Sequence, residues 1–222
     1  NGLITKYNYD GFGRLIKTEY PDGNNSVHSV HWDAENPNEN VLYYTMNVID
    51  GTPTTKVYFD ILGREVLSGY ENLENVMVMT KKNYNNNGKL ISLSEPYFEG
   101  NSPTQWTNYT YDEIGRTNTV ADPTHTIVYD YNGKTTTVQN IQTGISKTTT
   151  INPFGLTANV TDPGGTITYT YYSSGLPHTI TSPSSGITTM TYDAYGRQTD
   201  LNDPDAGNTH YDYWPSGELA MQ

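Results

Sequence analysis

Tyr9-Asp10-Gly11-Phe12-Gly13-Arg14, Phe59-Asp60-Ile61-Leu62-Gly63-Arg64, Tyr111-Asp112-Glu113-Ile114-Gly115-Arg116 and Tyr192-Asp193-Ala194-Tyr195-Gly196-Arg197 are four copies of one pattern: aromatic, Asp, two variable residues, Gly, Arg. Weaker copies keep the frame at Tyr84-Asn85-Asn86-Asn87-Gly88-Lys89, Ile151-Asn152-Pro153-Phe154-Gly155, Tyr171-Tyr172-Ser173-Ser174-Gly175 and Tyr213-Trp214-Pro215-Ser216-Gly217. From Gly13 through Gly63, Gly88, Gly115, Gly133, Gly155, Gly175 and Gly196 to Gly217 the intervals are 50, 25, 27, 18, 22, 20, 21 and 21 residues. A recurrence of this length marks a repeat architecture, in which small units stack on their neighbours. The first interval reads as two units, with Trp32-Asp33 supplying the eroded middle pair and Ala34 to Asn40 an irregular loop. Asn132-Gly133 reads instead as a two-residue hairpin turn.

Each unit has a physical reading. Ile167, Tyr169 and Tyr171 alternate with Thr166, Thr168 and Thr170, the period-2 signal of a strand. The Asp begins a type I turn, where its carboxylate accepts from backbone N–H groups two residues on, and the Gly takes positive φ. Arg14, Arg64, Arg116 and Arg197 each stand four residues after their Asp, side by side with it at the hairpin end. An exposed pair of this kind is worth about 0–1 kcal/mol, so it sets geometry more than stability. A second turn closes each unit with Pro, as in Tyr20-Pro21-Asp22-Gly23, Asp122-Pro123-Thr124, Asp162-Pro163-Gly164, Ser182-Pro183-Ser184 and Asp203-Pro204-Asp205. Two short turns and two strands of ordinary length give about 21 residues. Each repeat is therefore one β-hairpin, and the expected fold is all-β: antiparallel hairpins in a long curved meander.

Composition agrees with a sheet that lacks a thick core. Only 34% of the 222 residues are hydrophobic, mean hydropathy is −0.68, and 20 tyrosines stand against 4 phenylalanines. Tyr supplies a large apolar body with a wet hydroxyl, so a cross-strand Tyr ladder is expected to hold a sheet that is partly wet on both faces.

The motif units together with the Pro turns resemble the RHS/YD-repeat family, whose members include RHS polymorphic toxin shells, wall-associated YD-repeat proteins, Tc toxin C components and teneurins. The resemblance covers nearly the whole chain. It implies a β-strip that spirals into a hollow shell, with flanking repeats and an enclosed C-terminal effector as partners. In the toxins, self-cleavage occurs near an Asp-Pro-x-Gly-Leu motif. Asn152-Pro153-Phe154-Gly155-Leu156 has Asn in place of Asp and sits in the ordinary repeat frame, so it reads as a repeat. The absence of an initiating Met and of an apolar leader is read as the mark of a piece of a longer protein.

Other bounds narrow the function. Twelve basic residues against 24 acidic give a net charge of −12, which argues against nucleic acid and anionic membrane as partners. With 0 Cys there is no disulfide framework or thiolate metal site. No apolar run approaches the roughly 20 residues that span a bilayer, so no membrane insertion is expected. The uninterrupted repeat suggests one domain over residues 1–222, with an irregular stretch at about 24–53.

Chemical sites are faint. The turn role of the recurrent Asp accounts for the plentiful carboxylates better than paired-carboxylate catalysis does. His28 and His31 fall on opposite faces of a strand. The Asp-rich turns lack the spacing of calcium loops. Asn24-Asn25-Ser26, Asn108-Tyr109-Thr110 and Asn159-Val160-Thr161 match the glycosylation acceptor pattern, which arises easily in so Asn- and Thr-rich a chain. No catalytic residue, metal site or cofactor is expected. The leading expectation is a non-enzymatic structural segment of a secreted or cell-surface bacterial protein. The alternative is an adhesion module in which Trp32, Trp106 and Trp214 stack on cell-surface glycans; a hydrolase ranks last. Raw sheet edges also suggest edge-to-edge dimers.

Overall fold

The computed structural model describes residues 3–32 and 40–222. Among them there are 22 strands and no helix. The chain divides into two compact units, residues 1–111 with 120–124, and residues 112–119 with 125–222. The proposed Trp32-Asp33 unit and its loop to Asn40 lie mostly outside the described residues, whereas much of the stretch 24–53 is regular strand.

In the first unit β1 (Lys6–Tyr9), β2 (Leu15–Glu19), β3 (Asn25–Trp32), β4 (Tyr43–Ile49), β5 (Thr55–Phe59), β6 (Glu65–Glu71), β7 (Met77–Tyr84) and β8 (Leu90–Ser94) pair in sequence order. β10 (Trp106–Tyr111) follows against β8, and the short β9 (Tyr97–Phe98) turns back onto β7. Every one of these pairings is antiparallel. The only cluster of buried apolar side chains described lies here: Val41, Tyr58, Met77 and Met79, with Tyr44, Val66, Leu67 and Tyr97 packed against it. The β9 return adds to it, since Tyr97 pairs with Met79 across the ladder and packs against the cluster.

β11 (Thr117–Ala121) is divided between the units, and the second holds β12 (Thr126–Asn132), β13 (Thr135–Asn140), β14 (Ser146–Ile151), β15 (Thr157–Asp162), β16 (Gly165–Tyr171), β17 (Pro177–Thr181), β18 (Ile187–Tyr192), β19 (Gln198–Asp203) and β20 (Gly207–His210). β12 to β20 form an antiparallel meander in sequence order. β21 (Asp212–Tyr213) and β22 (Leu219–Met221) make a separate two-stranded hairpin. Met190 is the buried hydrophobic residue of this unit. Cohesion comes instead from the ladder and from cross-strand threonine pairs, with hydroxyls 3.1 Å apart at Thr135–Thr150 and Thr137–Thr148 and 2.7 Å apart at Thr170–Thr179.

The expected tyrosine ladder is found over β3 to β5. His31, Tyr44 and Tyr58 form one row, with ring centroids 4.9 and 5.2 Å apart; Trp32, Tyr43 and Phe59 form another, at 6.2 and 4.9 Å. Elsewhere five tyrosines have a different role, described below.

The meander puts the Asp–Gly turns at one border of each unit's sheet and the Pro turns at the other, about 10 Å between successive turns on a border. Asn132 pairs with Thr135, so the two-residue loop is Gly133-Lys134, one residue beyond the expected Asn132-Gly133.

Candidate functional site

The recurrent site is the hairpin end. At Asp10 the backbone carbonyl accepts from Gly13 N–H at 3.0 Å and the backbone N–H donates to Arg14 O at 2.9 Å. Those two bonds define a type I turn followed by a left-handed residue, and at Gly115 that residue has φ 87°. The Asp side chain then fixes the turn. Asp60 Oδ1 accepts from Leu62 and Arg64 N–H, both at 2.9 Å, and Oδ2 accepts from Arg64 Nε at 2.7 Å. Asp10, Asp112 and Asp193 repeat the set with Arg14, Arg116 and Arg197.

These bonds act on the carboxyl groups in opposition to burial. For Asp60, Asp112 and Asp193, desolvation raises the carboxyl, but backbone N–H groups and the guanidinium together outweigh it and hold it below the ordinary range. For Asp10 the Arg14 N–H is the largest influence, in the same downward direction. The weaker copies keep the neutral half of the device. Asn85 and Asn152 accept from the same two N–H groups, and Leu156 stands where an Arg would be.

In each of these hairpins whose register is described, the ladder slips by one residue at the first position of the motif, between Asn8 and Tyr9, Tyr58 and Phe59, Asn83 and Tyr84, Thr150 and Ile151, Thr170 and Tyr171, Thr191 and Tyr192, and Asp212 and Tyr213. The extra residue stands on the return strand, for example Val66 or Ala158. Such a bulge interrupts the ladder beside the carbonyl just before it. A tyrosine of the next repeat takes that carbonyl. Tyr84 donates to Glu65 O at 2.7 Å, Tyr111 to Leu90 O at 2.7 Å, Tyr131 to Thr117 O at 2.9 Å, Tyr171 to Thr157 O at 2.8 Å and Tyr213 to Gln198 O at 2.8 Å. The cation beside the carbonyl lies over the same ring: Arg64 over Tyr84 at 4.8 Å, Lys89 over Tyr111 at 4.7 Å, Arg116 over Tyr131 at 4.1 Å and Arg197 over Tyr213 at 4.6 Å.

Asp therefore orients Arg, Arg covers the neighbour's ring, and the ring's hydroxyl caps the bulge. This staple links one hairpin to the next. Sequence reasoning identified the Asp–Arg pair and missed the link, because the acceptor lies between 14 and 21 residues before its tyrosine. The available signal was the spacing from the residue after Gly-Arg, or after its weaker counterparts, to a tyrosine 14 to 21 residues on.

The other expected residues are dispersed. Trp32 is 78% exposed at the end of β3 and Trp214 is 58% exposed in the last turn, whereas Trp106 is half-buried at the start of β10. Trp32 and Trp106 are six strand steps apart, roughly 29 Å along the sheet. Tyr43, which meets the Trp32 ring edge-on, stacks face to face on Phe59. His28 bonds Asn47 and His31 bonds Ser29. Among the described residues no three His, Cys, Asp or Glu side chains gather as a metal site.

No family model and no curated protein matches the sequence. Solved structures do. Over 98% of its length the chain is similar to 14% of a chain in the crystal structure of TcdB2-TccC3-TEV, with a TM-score of 0.53 and 14% identity. It is equally similar to 13% of a chain in the Photorhabdus luminescens Tc holotoxin pore carrying TccC3-D651A, again with a TM-score of 0.53 and 14% identity. The chain has the fold of those toxin segments. It spans about one seventh of their length, and the likeness agrees, at the level of fold, with the resemblance that the Asp–Gly–Arg motifs carry.

Proposed function

We propose that the chain is a non-enzymatic wall segment of a secreted or surface-displayed bacterial RHS/YD-repeat protein, and that the wall encloses or displays an effector carried by the parent. The observation that carries this reading is the staple. It joins successive hairpins at one border through side chains that would otherwise be candidates for chemistry, so the recurrent Asp and Arg of three of the four strong copies, at Arg64, Arg116 and Arg197, are used in holding the strip together. The polar faces and thin core suit a strip wet on both sides, as a shell wall is. The successive units are then stretches of one repeat array, and the flanking repeats of the parent are the first partners.

Protease protection in the parent protein tests this. The part of the parent enclosed by the wall should resist digestion in the intact protein and become sensitive once the wall is opened by denaturant. A parent with no protected segment would overturn the enclosing role, leaving display.

A glycan-binding role has one observation in its favour, the exposure of Trp32 and Trp214. Binding on a glycan array that falls on Trp32→Ala or Trp106→Ala would support it. Unchanged binding in both variants would remove it.

A further inference from the structure

The first Asp–Arg turn is built like the others. Asp10 Oδ1 accepts from Phe12 and Arg14 N–H at 2.9 Å, and Oδ2 accepts from Arg14 Nε at 2.6 Å. The bulge follows at Ile16, beside the Leu15 carbonyl. In the sister sites the residue across the ladder from the Arg position is tyrosine. Here Lys17 pairs with Val27, and the same register carried outward sets Val30 across from Arg14. Val30 thus stands where Tyr84, Tyr131 and Tyr213 stand elsewhere.

The result is a socket. Arg14, Leu15, Ile16, Val27 and Val30 line a cavity of about 450 Å³ that also touches Asp10 and His28. Its apolar floor is open to solvent, with Leu15 42%, Ile16 37%, Val27 36% and Val30 43% exposed. The Arg14 side chain is 58% exposed and lies 5.4 Å from the ring of Phe12 in its own turn, against 30%, 44% and 29% exposure for Arg64, Arg116 and Arg197, each of which covers a tyrosine of the next repeat.

We propose that this socket receives a tyrosine side chain from another polypeptide. Its ring would lie beneath the Arg14 guanidinium and its hydroxyl would donate to Leu15 O, reproducing between chains the staple that the protein makes within itself. The chemistry selects tyrosine. An anion is disfavoured because Asp10 already balances Arg14, and a purely apolar side chain leaves the bulge carbonyl to water. The inference stands apart from the wall role, since it rests on the internal comparison of turns.

Titration of the 222-residue chain with N-acetyl-tyrosinamide and with N-acetyl-phenylalaninamide, followed by amide chemical shifts, tests it. The tyrosine amide should shift Arg14, Leu15 and Val30 and bind about fivefold tighter than the phenylalanine amide, the worth of one neutral hydrogen bond. Val30→Tyr should fill the socket and abolish the shifts, and Arg14→Gln should weaken binding. Equal binding of the two amides, persistence of binding in Val30→Tyr, or no shift up to the solubility limit would each overturn the proposal.

Discussion

Asp60 is 3% exposed, and its partner Arg64 lies between it and the ring of Tyr84. Removing the carboxylate leaves a guanidinium that is 30% exposed and two N–H groups without their acceptor. Asp60→Ala should therefore cost about 1–3 kcal/mol in a chemical-denaturation series. Asp112→Ala should cost clearly less, because its ion pair is open to water, with side chains 25% and 44% exposed. The four lowered carboxyls also set an acid limit. A group whose folded pKa lies below its unfolded value contributes stability above the unfolded value and loses it as pH falls through the folded one. The contribution of these carboxyls should thus be flat from neutrality to about pH 5 and fall below about pH 4. His210 acts in the other sense. Its ring nitrogens reach Asp200 at 2.7 Å and Asp212 at 3.3 Å, and the bond to Asp200 raises its pKa. Its contribution is full below about pH 6.5 and lost as pH rises through the folded value. Protection factors in β20 and β21, corrected for the intrinsic exchange rate, should fall across that interval, and His210→Gln should remove that fall. Tyr131→Phe should cost about 0.5–1.5 kcal/mol, the hydroxyl's bond to Thr117 O.

At the scale of elements, the hairpin turns were the most legible part of the sequence. Asp, Gly and Arg at fixed offsets leave the backbone few alternatives, and Gly115→Val should cost about 1–3 kcal/mol by forcing a β-branched residue to φ 87°. The turn Asn72 to Val76 went unread, because Asn75 takes the glycine's place with φ 57° and no Arg follows. Neither the bulges nor the β9 return was legible. A bulge leaves no composition signal, and Tyr97-Phe98 is too short for periodicity to register. Gly69 on β6 belongs to the same class. A Cβ there would lie 2.9 Å from Val78 O and collide with Met79, so Gly69→Ala should destabilise the first unit by about 1–3 kcal/mol through overpacking. The candidate site divided likewise: Asp–Arg is local and visible, whereas the tyrosine that completes it comes from another hairpin.

For the whole molecule, polarity and a repeat period pointed correctly to hairpins held by neighbours more than by a common core. Stability should accordingly erode hairpin by hairpin on truncation from either end. β1, whose residues are all exposed, offers an edge for pairing with a second copy, although Lys6 at that edge works against it. Light scattering should show concentration-dependent dimers, and a strict monomer at high concentration would contradict edge pairing. The central claim is that tyrosine staples join hairpins in series. Native-state hydrogen exchange on Tyr171→Val tests it most directly. Protection should fall in β14 to β17, the two hairpins that this staple joins, and remain in β3 to β6. Loss spread evenly over the chain, or no loss at all, would contradict the account.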